Sequence, residues 1–257
     1  MTVTIKTPEE IKILREGGRR LATILQEVAK RALPGVSTLE LDTLARELAI
    51  KGGDTPSFLG YRPRGAKRPY PASLCVSIND EVVHGIPNES PKILKEGDIV
   101  SLDMGLIHRK LITDCAITIG VGVIDAEAIK LLEITKKALS KGIGAIKAGH
   151  TTGDIGYAVE RCIKPYGYGI VRELAGHGVG YEIHEDPYIP NFGKKGEGET
   201  LRAGMVIAIE PMINEGTEKV LLDKDGYTFR TKDGKRSAHF EHTVAITEKG
   251  AVILTLP

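Results

Sequence analysis

The sequence lacks tryptophan, contains only three cysteines and has no long apolar run. Cys75, Cys115 and Cys162 are too widely spaced for a CxxC zinc motif, and they form no disulfide framework in a chain of 257 residues. No segment approaches the roughly 18 consecutive apolar residues of a membrane span, and the opening residues contain no apolar signal core. These absences predict a reduced, cytoplasmic protein that makes no membrane contact.

The chain also has little net charge, because 35 basic and 34 acidic residues leave a formal value of +1. A charge so close to zero gives no global attraction to nucleic acid or to an anionic membrane. The hydrophobic content of 41% is enough for a sizeable core, and the length suits one large domain or two smaller ones.

Two capping boxes and two further periodic segments predict four helices. Thr7 and Ser37 each precede a glutamate by three residues, the pattern that begins a helix. The third helix is expected from Asp125 to about Lys147, and the fourth from Thr152 until shortly before Pro165. Strand-like segments lie between the helices in antiparallel-looking blocks, which predicts an α+β fold rather than a parallel doubly wound sheet.

One segment of the chain is repeated in altered form. "LKEGDIVSLDMG" from Leu94 aligns without gaps with "LRAGMVIAIEPM" from Leu201, so that Asp103 and Glu210 occupy equivalent positions. Downstream, "DCAITIG" and "EHTVAIT" match in the same way and begin with the acids Asp114 and Glu241. The repeat predicts one domain over residues 1–257 that consists of two pseudo-symmetric halves, about 1–123 and 124–257.

The four repeated acids lie on predicted strands beside small residues. With a period of two, Asp103 shares its face with Ser101, and Glu210 shares its face with Ala208. A single acid in a strand is usually an edge residue or one side of a surface ion pair. Four converging acids would repel one another strongly, and no lysine or arginine lies on those faces to neutralise them. Two divalent cations would balance the charge, so the pattern predicts an oxygen-rich metal centre.

The segment "GHGVGYEIHEDP" contains His177 and His184, seven residues apart. That spacing excludes the helical zinc-protease pair, whose histidines are four residues apart, and the glycines disfavour a helix. The segment alone therefore indicates a bent chain with two different histidine roles, or with none.

Together with "HGIP" at His84, "AIEPMINEG" at Ala208 and "FEHTVAIT" at Phe240, this segment resembles the methionine aminopeptidases of the bacterial type (type I). The resemblance extends from Ile11 to Leu256. It implies the pita-bread fold, in which two pseudo-twofold halves form an antiparallel sheet covered by helices.

The resemblance also implies a ligand set for two divalent metal ions, which could be Co, Mn, Fe or Zn. Asp103 would bind one ion, Asp114 and Glu241 would bridge both, and His177 and Glu210 would complete the other site. The family removes the initiator methionine from nascent polypeptides and peptides whose next residue is small. The metal centre of the family activates the water that attacks the methionyl carbonyl.

Two further histidines have catalytic roles in that family. By resemblance, His84 and His184 would donate hydrogen bonds to the substrate and to the tetrahedral intermediate, and Glu210 would also shuttle a proton. Donors to a developing oxyanion typically contribute a few kcal/mol, roughly 3, to catalysis.

The substrate pocket matches the family only in part. Tyr70 and Cys75 match the family's pocket residues, and a soft sulfur wall suits a thioether. Ile183 stands where bacterial members commonly have phenylalanine, and Tyr227 stands where tryptophan is common.

The segment "YRPRGAKRPYP" brings Arg62, Arg64, Lys67 and Arg68 close together. A solvated loop is the simpler interpretation, and a contact with ribosomal RNA at the nascent-chain exit is the alternative. No membrane partner is expected, and the protein is expected to be a monomer.

Two other functions remain open at this point. An Xaa-Pro aminopeptidase or prolidase shares the fold, although the motif "FEHTV" and the short chain favour methionine. A non-catalytic binding protein of this fold is the other alternative, but all five ligand positions and both auxiliary histidines are present.

Overall fold

The structure is a computed structural model that describes residues 3–63 and 65–257. Arg64 of the predicted basic loop lies outside the described residues. The described part of the chain contains no helix long and apolar enough to cross a lipid bilayer.

The four predicted helices are present, and their starts follow the expected capping residues. The helices are α1 (Pro8–Arg31), α2 (Thr38–Lys51), α3 (Ala126–Gly144) and α4 (Thr152–Ile163), and a 3-10 turn (Lys164–Tyr166) follows α4. Thr7 and Ser37 both form complete capping boxes, in which the side chain accepts a hydrogen bond from the third helical N–H. The carboxylate of Asp125 caps α3 by accepting from the N–H of Ala128.

The strands are β1 (Thr55–Pro56), β2 (Cys75–Ile78), β3 (Glu81–Val83), β4 (Ile99–His108), β5 (Leu111–Gly120), β6 (Gly169–Ile170), β7 (Gly176–Gly178), β8 (Glu185–Ile189), β9 (Val206–Ile209), β10 (Met212–Asn214), β11 (Val220–Leu222), β12 (Phe229–Thr231), β13 (Ser237–His239), β14 (Glu241–Thr247) and β15 (Gly250–Ile253). The largest sheet has the order β1-β4-β5-β14-β9-β7-β8, and β2 and β15 are attached to β4 and β14. Two sheets of three strands, β13-β10-β6 and β11-β12-β3, complete the structure. All pairings between these strands are antiparallel, as the sequence predicts.

The helices cover one face of the large sheet. Leu102 of β4 is fully buried in a cluster with Leu21 and Leu25 of α1 and with residues of α2. On the other half of the sheet, Ile207 of β9 packs in a cluster with Ile155 of α4. Because alternate strand residues point to opposite faces, the acids next to these apolar residues are directed away from the helices.

Candidate active site

Neighbouring strands of the large sheet bring the predicted acids together. Ala116 of β5 pairs with Asp103 of β4 on one side and with Glu241 of β14 on the other. Asp114 lies two residues from Ala116 along β5, on the same face of the strand. Glu210 follows directly after β9, which is the other neighbour of β14.

His177 joins this cluster from β7. Single ligand atoms of Asp114, His177 and Glu241 all lie within 4.8 Å of one another. His177 Nε2 is 3.3 Å from Glu210 Oε1. The Oδ1 atom of Asp103 and the Oε1 atom of Glu241 are buried and find no hydrogen-bond partner among the described residues. Five predicted ligand residues therefore share one buried site.

Burial dominates the electrostatics of this cluster. It raises the pKa of Asp103, Glu210 and Glu241 well above the usual carboxylic range, and repulsion from the neighbouring carboxylates adds to the effect. Burial raises the pKa of Asp114 to about 7, although the hydrogen bond that Asp114 accepts from the N–H of Cys115 acts to lower it. The pKa of His177 is lowered to about 3 by burial and by the adjacent His184.

The donor set fits divalent metal ions. The side chains that line the adjoining cavity include no lysine or arginine within the described residues, so none of these lining side chains neutralises the four carboxylates. Two buried carboxylate oxygens without a partner are costly unless a cation binds them. Carboxylate oxygens with one imidazole are the ligands that Mn, Fe, Co and catalytic Zn accept.

A cavity of about 170 Å³ opens beside the acids, and it contains most of the predicted substrate residues. His84, His184, Tyr70, Cys75 and Tyr227 all line it. The backbone of His84 has a φ of 60°, a left-handed conformation that non-glycine residues adopt at a cost and that is often found at functional sites.

The two histidines of the glycine-rich segment face one another in this cavity. Their ring centroids are 4.5 Å apart in an edge-to-face arrangement. His177 lies on β7, and His184 lies directly before β8. At Gly176, a Cβ would meet the carbonyl oxygen of Ala208 at 2.3 Å, so the glycine permits a close approach of β7 and β9. The bend predicted from the sequence is thus the connection between the antiparallel strands β7 and β8, and it positions both imidazole rings.

Ile183 lies in an apolar cluster against which the cavity residues Phe58 and Tyr61 also pack. Its side chain is absent from the described cavity lining and packs in an apolar cluster with Leu14 of α1, Leu111 and Val206.

Aromatic residues that the sequence did not single out form the cavity wall instead. Phe58 and Tyr61 line the cavity, and Phe58 makes an edge contact with Tyr70 at 6.4 Å between ring centroids. Tyr70 also contacts Tyr227 at 5.2 Å. The hydroxyl of Tyr61 lies 2.7 Å from Nδ1 of His184. Phe58 and Tyr61 occupy an irregular segment without a periodic pattern, so the sequence contained no signal for them.

His239 is a further residue without a predicted role that lies at the site. Its Nε2 is 3.8 Å from Glu210 Oε2, and both ring nitrogens are buried without a hydrogen-bond partner in the described part of the chain. The only available signal was its position two residues before Glu241, directly before the motif "FEHTVAIT".

The basic loop at the rim of the cavity is partly engaged in local contacts. Arg68 forms an ion pair with Glu89 and donates a hydrogen bond to the carbonyl oxygen of Asp225. Arg62 Nε donates to the carbonyl oxygen of Ala66, and the side chains of Arg62 and Lys67 are exposed.

A family model described as metallopeptidase family M24 matches residues 12–248. The chain therefore belongs to metallopeptidase family M24, which confirms the metal-dependent hydrolase class and the expected pita-bread fold.

Similar proteins make the comparison more specific. The methionine aminopeptidase of Aquifex aeolicus is 47% identical over 259 residues, which cover 99% of this chain and 99% of that protein. The crystal structure of the methionine aminopeptidase from Thermotoga maritima has a TM-score of 0.94 at 44% identity, with 100% of both chains covered. The prolidase from Pyrococcus furiosus has a TM-score of 0.74 at 28% identity and is covered over 65% of its length.

Proposed function

We propose that this chain is a methionine aminopeptidase that removes the initiator methionine from nascent proteins and peptides whose second residue is small. The observation that carries the proposal is the convergence of four acids and His177 beside an apolar cavity. Near-complete coverage of the similar methionine aminopeptidases, against 65% of the prolidase, favours methionine over an Xaa-Pro substrate.

The proposed metal centre consists of Asp103, Asp114, His177, Glu210 and Glu241. These residues would hold two divalent ions, which could be Co, Mn, Fe or Zn, and Asp114 and Glu241 would bridge them. When bound, such ions lower the pKa of water and polarise a carbonyl group. The crowded, unneutralised carboxylates support this assignment.

His84 and His184 act on the substrate in this proposal. Burial lowers the pKa of His84 to about 4 and also lowers the pKa of His184, so both rings are neutral near pH 7. If the Tyr61 hydroxyl donates to Nδ1 of His184, then Nε2 carries the proton that is donated toward the cavity. Neutral N–H donors held in this way would stabilise a developing oxyanion, and Glu210 would shuttle a proton from the attacking water to the departing amine.

Tyr70, Cys75 and Tyr227 form the proposed methionine pocket. All three are buried in one apolar cluster, and the partly buried Phe58 packs against it. Burial raises the pKa of the Cys75 thiol well above its usual value, so Cys75 presents a neutral, polarizable sulfur to the thioether. Ile183 was expected in this pocket, and in the structure it lies in the apolar cluster that includes Leu14.

Peptide hydrolysis by metal-stripped protein tests the proposed function. Methionine release from Met-Ala-Ser should depend on added Mn, Fe, Co or Zn, and Asp103→Asn and Glu241→Gln should abolish it. Release of alanine from Ala-Pro-Ala would instead support the prolidase alternative. Full activity of either variant after chelation and metal addition would refute the metal centre, and hydrolysis of neither peptide would support a binding protein.

We also propose a cytoplasmic monomer with one domain, built from halves at about 1–123 and 124–257. Its basic loop is a solvated loop in the simpler interpretation, and the alternative is a contact with the ribosome. Three free cysteines support a reducing compartment. The exposed side chains of Arg62 and Lys67 support the ribosome contact, Arg68 is paired with Glu89, and Arg64 lies outside the described residues. Ribosome co-sedimentation that is unchanged when all four basic residues become alanine would refute this contact.

A further inference from the structure

A basic groove lies between α3 and α4, remote from the cavity of the active site. Its volume is about 620 Å³, and five cationic side chains line it: Lys137, Lys141, Lys147, Arg161 and Lys195. We call it the α3–α4 groove. All five side chains are exposed.

Helical periodicity builds the two walls of the α3–α4 groove. Lys137 and Lys141 are four residues apart on α3, and Tyr157 and Arg161 are four residues apart on α4, so each pair shares one helix face. Lys147 lies in the connection between the helices, and Lys195 lies in the loop after β8. The groove therefore collects cations from separate segments of the chain.

The cations of the α3–α4 groove have no acidic partner within ion-pair distance among the residues described. The one carboxylate in its lining, Asp154, accepts hydrogen bonds from the N–H and the hydroxyl of Thr151. In contrast, Arg172 in the neighbouring depression is paired with Glu160 at 3.4 Å. The groove holds a local excess of about four positive charges in a protein whose net charge is +1.

Aromatic rings accompany these charges. Tyr157 and Tyr166 line the α3–α4 groove, and Lys195 Nζ lies 5.1 Å from the centroid of the Tyr157 ring. Cations interleaved with aromatic rings suit single-stranded nucleic acid, because phosphates bind the cations and bases stack on the rings. An anionic membrane surface would call for a flat face with several exposed apolar anchors, whereas this groove is concave.

The groove lies on the opposite side of the sheet from the active site. Gly142 of α3 approaches Ile209 of β9, whereas the next residue, Glu210, faces the cavity with the other acids. A ligand in the α3–α4 groove would leave the cavity open.

We propose that the α3–α4 groove binds the phosphate backbone of single-stranded RNA, with Tyr166 as a stacking platform. The probe is a fluorescent oligouridylate, and binding is measured by fluorescence anisotropy. If the five cations each replace a counterion, log Kd should rise with log salt with a slope of about 3.5, so affinity falls roughly 100-fold between 50 and 200 mM salt.

A triple variant tests which residues carry the binding. Lys137→Ala/Lys141→Ala/Arg161→Ala should weaken RNA binding at least 10-fold and reduce the salt slope by about 2. The matched control Arg15→Ala/Lys51→Ala/Lys249→Ala removes three exposed cations elsewhere and should change affinity less than twofold. Both variants should release methionine like the parent protein, which shows that they are folded and separates this test from the proposed function.

Three outcomes would overturn RNA binding in the α3–α4 groove, and a fourth would overturn the role of Tyr166. Equal RNA binding by the parent and the groove variant would exclude the groove, and equal losses in both triple variants would indicate attraction by bulk charge. Binding to phosphatidylserine vesicles without binding to RNA would assign the groove to a membrane surface. Tyr166→Ser should cost at least fivefold in affinity for the oligouridylate, and an unchanged affinity would exclude stacking on this residue.

Discussion

At the scale of single residues, the hydroxyl group of Tyr61 contacts the imidazole ring of His184 in the cavity. Tyr61 Oη lies 2.7 Å from His184 Nδ1, and the two rings are also in contact, with centroids 5.4 Å apart. A hydrogen bond at Nδ1 sets the tautomer of the ring and its orientation, so in the proposed function Tyr61 determines which ring atom His184 presents to the substrate.

Tyr61→Phe should therefore lower kcat/KM for Met-Ala-Ser roughly 3- to 10-fold, which corresponds to one lost hydrogen bond. Steady-state kinetics measure the effect. Tyr168→Phe is the matched control, because the Tyr168 hydroxyl is buried without a partner among the described residues. Equal kinetics for both variants would show that the hydroxyl of Tyr61 does not orient His184.

At the scale of elements, a buried ion pair holds the connection between β7 and β8. Lys6 Nζ lies 2.6 Å from Glu185 Oε2, and both side chains are almost fully buried. The other oxygen of Glu185 accepts hydrogen bonds from the N–H groups of Tyr181 and Glu182. The segment before α1 thus stabilises the turn that precedes His184.

Lys6→Met should lower the free energy of unfolding by roughly 3 kcal/mol, because it leaves the Glu185 carboxylate buried and unpaired. Urea denaturation measures this change. The double variant Lys6→Met/Glu185→Gln should recover part of the loss, since no lone charge remains. A single variant as stable as the parent would contradict a structural role for the pair.

Alanine substitution of two glycines, one in a strand and one in a helix, should change the stability of the protein in opposite directions. Gly176→Ala forces a Cβ to within 2.3 Å of the Ala208 carbonyl oxygen, and it should destabilise the protein by about 1–3 kcal/mol. A Cβ added at Gly144 in α3 would meet no described atom within 4 Å outside its own helix turn. Gly144→Ala should therefore stabilise the protein by roughly 0.5–1 kcal/mol. Thermal unfolding distinguishes the two, and equal shifts would show that β7 and β9 can separate.

The helices were predictable because their signals are local. The capping boxes at Thr7 and Ser37 lie within four residues of the chain, and the structure places both as expected. The repeated acids also predicted a shared site, because strand periodicity decides which residues share a face. The position of Ile183 and the wall formed by Phe58 and Tyr61 depend on how irregular segments pack against distant elements, and no local pattern contains that information.

At the scale of the whole molecule, the sheet joins segments that are distant in sequence. Strand β14 lies between β5 and β9, so the central pairing of the sheet connects residues more than a hundred positions apart. The order β4-β5-β14-β9 places the repeated strands in mirrored positions.

Metal addition should stabilise the folded protein, because the ligands converge only in the native state. The stripped protein should show a thermal unfolding midpoint that rises with the concentration of Mn or Co. In Glu241→Gln this dependence should be much weaker, while the midpoint without metal should be equal or higher, since one crowded carboxylate is removed. A midpoint independent of metal in the parent protein would contradict the proposed centre.

The pairing of β5 with β14 has a consequence for the newly made protein. Asp103 and Asp114 are synthesised well before His177, Glu210 and Glu241, and neither group alone provides the full set of ligands. A chain interrupted before β14 would carry only part of a metal centre and no complete cavity. With the proposed metal centre, hydrolysis requires synthesis at least through Glu241, and we expect shorter products to have no peptidase activity.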